Sequence, residues 1–502
     1  MQADHSNTLF IVFDQMRADA ICGALADTAD LPHFRSLMDD AVTFTRHYSV
    51  TSPCGPARAS LLTGQYAMNH RSVRNGTPLP QDKPNLALSL REAGLQPLLY
   101  GYTDTSPDPR HFAPDDPVLT SYEQVMTGFM EAQEMRFDCN RAWEAYLDTQ
   151  GYDLGTGSAV YRPAGDTPAS PARYAAAHSD TAFLTDRLLL DLPSRGDGWC
   201  AHVTFIRPHP PFVAPAPYNS LFDPAAMPPA REAASGQPPH PFDPPARQYR
   251  GVSDMVVGFD DLVHSPENTA MMRAIYMGLV AELDHHLGRI IGWLKETGRY
   301  EKTTIILTAD HGEMLGDHGL WGKMSYHDAA FHVPLVIKLA DHPRGRAGAV
   351  VDLPTESIDV TPTLLDLLGL AVPDTMDGVP LTPLIRGETP AQWRQVTMSE
   401  IDFGDPVTPT LWQRQLGLPA RQCHLAVLRA GDQRLVHFGG GLPQLMLDAG
   451  SGERPVNAEE NSAFAEASQA LTAALLSHRM EKAEGRFART MITENGVVRG
   501  DH

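Results

Sequence analysis

Cysteine is scarce in this chain. The five present (Cys22, Cys54, Cys139, Cys200 and Cys423) are spread over 502 residues, odd in number, with no CxxC pair and no set of close spacings. That pattern excludes a disulfide framework and fits reduced thiols in the cytoplasm. Long apolar runs are missing too. The start, Met1–Asn7, is polar and free of basic residues, and the apolar stretch after it is interrupted by Asp14 and Arg17. Neither a signal peptide nor a transmembrane span is expected. Positive charge is in short supply, with 40 Lys and Arg against 61 Asp and Glu and a net charge of −21. Such a surface argues against nucleic acid or an anionic membrane as a partner. An anionic substrate would have to be drawn in by a local positive site. No internal repeat is visible.

What is there fits a large globular enzyme: 42% apolar and 20% charged residues, and enough length for one big domain with an appendage. Thr8–Phe13 is a continuous apolar, β-rich run, the pattern of a strand buried on both faces of a parallel sheet. Similar runs lie at 96–102, 199–206, 303–308 and 333–338, with a short one at 41–45. Helical patterns lie between them, at 32–38, 86–93, 270–297 and 361–369. The strongest is 270–297, with Ile275, Leu279, Leu283, Leu287 and Ile291 on one face. This alternation predicts an α/β fold, a large mainly parallel mixed sheet sandwiched by helices, over residues 1–385. Strand-like runs at 423–428 and 434–438, then a helical pattern at 458–484, predict a smaller C-terminal subdomain of antiparallel strands plus a helix over residues 386–502. Residues 208–245 hold thirteen prolines, so little helix or interior strand is expected there. That segment is either an ordered excursion near the active site or a surface linker.

Three places carry chemistry. Cys54-Gly-Pro-Ala-Arg58 opens a short apolar, helix-compatible run ending in Leu62-Thr63-Gly64. A thiolate at a helix N-terminus beside an arginine would be activated by the dipole and the cation. The alternative is a buried structural cysteine. Arg58 lies one helical turn after Cys54 and can reach the same spot. The first strand ends at Asp14-Gln15, and the run 303–308 leads to Asp310-His311. Two strand ends carrying acids, a carbonyl oxygen and an imidazole make a candidate site for one divalent cation; one nitrogen among oxygens favours Mn²⁺, with Ca²⁺ as second choice. Lys323, in a Gly-punctuated loop, can bind an oxygen of a sulfuryl or phosphoryl group. His209, after the 199–206 strand, can protonate a leaving group or bind an anionic oxygen, or else is a surface loop residue.

The Cys-x-Pro-x-Arg string followed by Leu-Thr-Gly resembles the signature of the type I sulfatases. The resemblance covers roughly residues 8–385 and the tail only loosely. It implies that Cys54 is oxidised by a formylglycine-generating enzyme to formylglycine, whose hydrate is the nucleophile and whose oxygen joins Asp14, Gln15, Asp310 and His311 around the metal. It gives Arg58 the task of orienting the hydrate, and it places a lysine and a histidine where Lys323 and His209 stand. Departures from the usual sulfatase pattern (Gln15 for a second Asp, His311 for Asn or Gln, Ala57 for Ser) match the phosphonate monoester hydrolase and phosphodiesterase group of the alkaline phosphatase superfamily. In that group Asn75 falls at a substrate-binding asparagine, and the loop with Tyr102, Thr103 and Thr105 lines the site. The implied protein is a homotetramer acting on a small anionic ester: phosphonate monoesters and phosphodiesters first, arylsulfates as the alternative. A different class is a non-catalytic binding protein with unmodified Cys54.

Overall fold

Strand β1 (Asn7–Asp14) is buried along all eight residues, as a strand without polar alternation must be. It is the centre of an eight-stranded sheet in the order β4 (Met130–Glu134), β3 (Pro97–Gly101), β5 (Cys200–Pro208), β1, β6 (Thr303–Ala309), β7 (Leu335–Lys338), β2 (Val42–Phe44) and β8 (Ala349–Val351). The computed structural model describes residues 6–137, 140–233, 238–340, 346–456, 462–483, 490–494 and 496–499; Cys139 lies outside them. Strand β1 pairs in parallel with β5 and β6, so Val12 sits between Thr204 and Thr308. Strand β7 runs antiparallel to both β6 and β2, which makes the sheet mixed.

The two faces of β1 feed two cores. Leu9, Ile11 and Phe13 pack with Ile275, Leu279, Leu283 and Leu287. Phe10 and Val12 pack with Leu61, Leu62, Leu364 and Leu365 on the other side. Helix α1 (Pro32–Asp39) and the 31-residue helix α5 (Pro266–Glu296) lie on the first face, and helices α2 (Cys54–Thr63) and α6 (Val360–Leu367) on the second. Helix α5 starts where the sequence demands. The Ser265 side chain caps the Asn268 amide at 3.1 Å, with Pro266 in the first turn.

The Pro-rich stretch is no free linker. Phe212, Val213 and Ala214 are fully buried, and helix α4 (Asp243–Tyr249) closes the segment. A five-stranded sheet begins at Val396 and ends at Pro455, its strands all antiparallel. Helix α7 (Ser462–Glu481) follows, shorter than the 458–484 pattern, whose ends at 458–461 and 484 lie outside the described residues. Leu471 and Leu475 of α7 pack with Leu428 and Leu435 of the second sheet. A last hairpin pairs Thr490–Thr493 with Gly496–Arg499. Among the described residues no helix is long and apolar enough to cross a membrane.

Candidate active site

The carboxyl ends of β1 and β6 are neighbours, so Asp14-Gln15 and Asp310-His311 emerge side by side. Helix α2 points its N-terminus at them. All ten residues of α2 are buried, and Gly64 ends it in the left-handed region (φ 64°) that favours glycine. Cys54 is therefore held at the junction of three elements. Its Sγ lies 3.9 Å from Asp14 Oδ1, 3.3 Å from His311 Nε2 and 2.9 Å from Lys323 Nζ.

Arg58 is held by acids. Its guanidinium is shared by three buried carboxylates, Asp14 (2.6 Å), Asp104 (2.5 Å) and Asp310 (3.0 Å), and lies 4.0 Å above the Tyr102 ring. The expectation of an activated thiolate is thereby overturned. Burial, and then the Asp14 charge, push the Cys54 thiol well above its ordinary range, and Lys323 and Arg58 only partly offset them. Unmodified Cys54 is a poor nucleophile here.

Asp14, Asp310, His311 and position 54 offer ligand atoms within 4.8 Å of one another, all buried. His311 lies 3.0 Å from the Gly312 carbonyl through Nδ1, which assigns the proton to Nδ1 and leaves the Nε2 lone pair facing the two carboxylates at 3.8 and 3.5 Å. Burial, then the Lys323 charge, keep this imidazole neutral. Asp310 Oδ2 is buried with no donor aligned on it. Burial and the neighbouring Asp14 raise the Asp310 carboxyl, while at Asp14 the cationic Arg58 and Lys323 outweigh burial and hold the carboxyl low. Two crowded carboxylates and a free imidazole lone pair are a donor set that suits one divalent cation. Gln15, at φ 67°, gives its amide N–H to Asp310 Oδ1 (3.0 Å). Its side-chain oxygen accepts from Lys323 (2.8 Å), and its Nε2 donates to Glu313.

The Lys323 ammonium thus donates to Gln15 Oε1, to Cys54 Sγ and, at 3.1 Å, to His209 Nε2. Burial would lower its pKa, but the facing Cys54 and Asp14 keep it raised and charged. His209 is held by its Nδ1 on the Pro210 carbonyl (2.5 Å). Burial, then Lys323, depress it to about 3, so it stands neutral. That fits an oxygen-binding or Lys323-orienting partner better than a resident acid. Asn75 Oδ1 accepts the Gly55 amide at 3.0 Å, which turns its NH₂ group to the cavity.

The other loop residues differ from expectation. Tyr102 is buried and donates to Asp14 Oδ2 (2.6 Å). Thr103 accepts the Met126 amide (2.8 Å) and the Thr105 hydroxyl (3.1 Å), so these threonines pin their loop to residues 124–126. Neither lines the cavity of about 410 Å³ at Cys54. Two working residues were missed. Asp104 anchors Arg58. Glu313 accepts the Gly322 amide (2.6 Å) and so fixes the loop that carries Lys323. Glu313 stands three residues after Asp310 in a string already marked by the metal pair, the one signal that could have found it. The far wall of the cavity, with Tyr249, Arg250, Phe403 and Trp412, left no motif at all.

The chain belongs to the sulfatase family, whose model matches residues 6–370. Within that family it is similar to enzymes of the alkaline phosphatase superfamily. The phosphonate monoester hydrolase of Silicibacter pomeroyi superposes with a TM-score of 0.95 at 47% identity, over 99% of both chains. That of Agrobacterium radiobacter gives 0.92 at 38%, over 99% of this chain and 100% of its own. The multifunctional alkaline phosphatase superfamily protein PehA of Trinickia caryophylli is 38% identical over 466 residues, 88% of each chain.

Proposed function

We propose that this protein hydrolyses phosphonate monoesters and phosphodiesters, with lesser activity on sulfate esters, using the hydrate of a formylglycine made from Cys54 and one divalent cation. The observation that carries the reading is the enclosure of Cys54. The residue starts a helix beside a carboxylate pair, with Lys323 at 2.9 Å and His311 at 3.3 Å, in a chain 47% identical to a phosphonate monoester hydrolase. Asp14, Gln15, Asp310 and His311 would hold the cation, with Mn²⁺ preferred over Ca²⁺ because one donor is an imidazole. The cation would supply Lewis-acid charge, and the formylglycine hydrate would supply one hydroxyl as nucleophile and a second whose proton is lost on release of the product acid.

The chain's own residues do the rest. Arg58 holds Asp14 and Asp310 in register. Lys323 and the Asn75 NH₂ group bind non-bridging oxygens, where charge grows in the transition state. His209 orients Lys323 and accepts or shares a proton at Nε2. With Gln15 in place of a second aspartate, the site is more positive than one with an additional carboxylate. That favours the phosphoryl transition state, which gathers more charge on its non-bridging oxygens. For an aryl phosphonate monoester or phosphodiester, kcat/KM is expected to exceed that for the matching arylsulfate. About tenfold needs only about 1.4 kcal/mol of differential binding. Side-by-side kcat/KM values for the three esters test this; a wide margin for the sulfate would make the protein an arylsulfatase instead.

The reading includes a cytoplasmic location, supported by the scattered cysteines, and a division of the chain at 385/386, supported by the second sheet's start at Val396. It also includes a homotetramer without nucleic-acid or membrane partners. The C-terminal hairpin supports assembly, since Met491, Ile492 and Val497 are each more than 60% exposed.

A further inference from the structure

The cavity lining includes side chains that the chemistry at Cys54 does not use. Their wall is built by the end of α4 and by the C-terminal sheet region, and it is aromatic. Trp412 is fixed there, with Nε1 donating to the Phe242 carbonyl at 3.0 Å and its ring stacked on Phe242 at 5.3 Å. Tyr249 packs on Trp412 at 5.1 Å but is 44% exposed, so a tyrosine ring backed by an immobile indole stands at the mouth of a catalytic cavity.

Arg250 follows directly. Its stem passes Gly322, where a Cβ would meet Arg250 Cδ at 3.1 Å. The missing side chain lets the arginine approach the loop of Lys323. Its charge is felt at His209, as a smaller contribution after burial and Lys323. Two other charged residues of the lining, Arg74 and Asp254, are engaged, while Glu123 and Asp402 add carboxylates to it. Arg74 pairs with Asp405 at 2.7 Å, and Asp254 accepts the Gly251 amide at 2.7 Å. Among the described residues, Arg250 enters no ion pair within 4 Å, although it lines the cavity.

We propose that Tyr249 and Arg250 form the subsite for the leaving group, and that the preferred substrates are aryl esters carrying an anionic substituent, with the ring on Tyr249 and the anion on the Arg250 guanidinium. A flat ring gains stacking on tyrosine, and a carboxylate gains a charge-assisted fork from arginine. The proposal deepens the phosphonate hydrolase reading and rests on it.

The test compares para-carboxyphenyl and para-carbamoylphenyl methylphosphonates, nearly isosteric esters that differ in charge, on the metal-loaded full-length enzyme. The kcat/KM ratio of the two is taken within each variant, and each variant's ratio is compared with that of the wild type, which cancels the intrinsic reactivity of the leaving groups. Arg250→Gln is expected to lower the ratio by about tenfold, and Arg250→Lys to keep part of it. Tyr249→Ala is expected to lower kcat/KM on both esters by about fivefold, with Tyr249→Phe close to wild type. A ratio unchanged in Arg250→Gln overturns the subsite, whatever happens to the absolute rates. If the wild-type enzyme turns over neither phosphonate, the phosphonate reading has failed. The matching pair of sulfate esters then supplies the ratio, and the Arg250 assignment stands or falls on it.

Discussion

A buried side chain at this site is defined by what has already claimed it. Arg58 is shared by three carboxylates, so it braces the candidate metal ligands, and its charge does not overcome the burial and the Asp14 charge that keep Cys54 a thiol. Cys54 in its unmodified state is held as the thiol, and the peptide spanning it is expected to carry formylglycine in any active preparation. Mass spectrometry of that peptide decides the point, since full activity with free thiol alone would end the mechanism. Cys54→Ala is expected to abolish turnover while leaving the fold intact, as judged by the melting curve. Lys323 is the residue whose loss should cost most among the oxygen binders. Lys323→Ala is expected to lower kcat by about 10²–10³-fold, in steady-state kinetics on an aryl phosphonate.

Among the elements, α5 carries a buried acid. Glu282 is buried against helix α3 (Asp180–Asp191), where Ser179 donates to it at 2.5 Å and Arg207 is held by Asp180 at 2.9 Å. Burial, then Asp180, raise the Glu282 carboxyl from 4.5 to about 8. A raised folded pKa means the folded state prefers the proton. The stability it lends is full below about pH 4.5 and is lost as pH rises through about 8. The melting temperature of the wild type should therefore fall over that window relative to Glu282→Gln, in which no proton is at stake. Parallel curves for the two would refute it. The i, i+4 apolar face of α5 and the apolar runs of β1 and β6 were legible because burial on a regular element leaves a period in the sequence. The signature at Cys54 and the strand-end pairs were legible because they are contiguous. The clamp on Arg58 was not, since Asp14, Asp104 and Asp310 meet only after the sheet forms. Thr103 and Thr105 were misread for the opposite reason: a polar loop near a site advertises itself whether its hydroxyls face the cavity or its own backbone.

At the scale of the whole molecule, the C-terminal hairpin has almost no core of its own, with exposed apolar residues on both strands. Two-stranded hairpins are marginal alone, so it is expected to pack on a second copy. A chain ending at residue 483 should show a lower assembly mass than the full chain by light scattering, with each monomer still folded. Equal masses would remove the hairpin from the interface. The enclosure of α2 has a consequence of a different kind, in time. Cys54 is 5% exposed, and the helix it starts is sandwiched between the sheet and α6. On the proposed reading, an oxidising enzyme that takes this segment as an extended peptide has to act before α2 docks on the sheet. A molecule folded with a free thiol would then stay inactive, and the active fraction of a batch would record the timing of its synthesis.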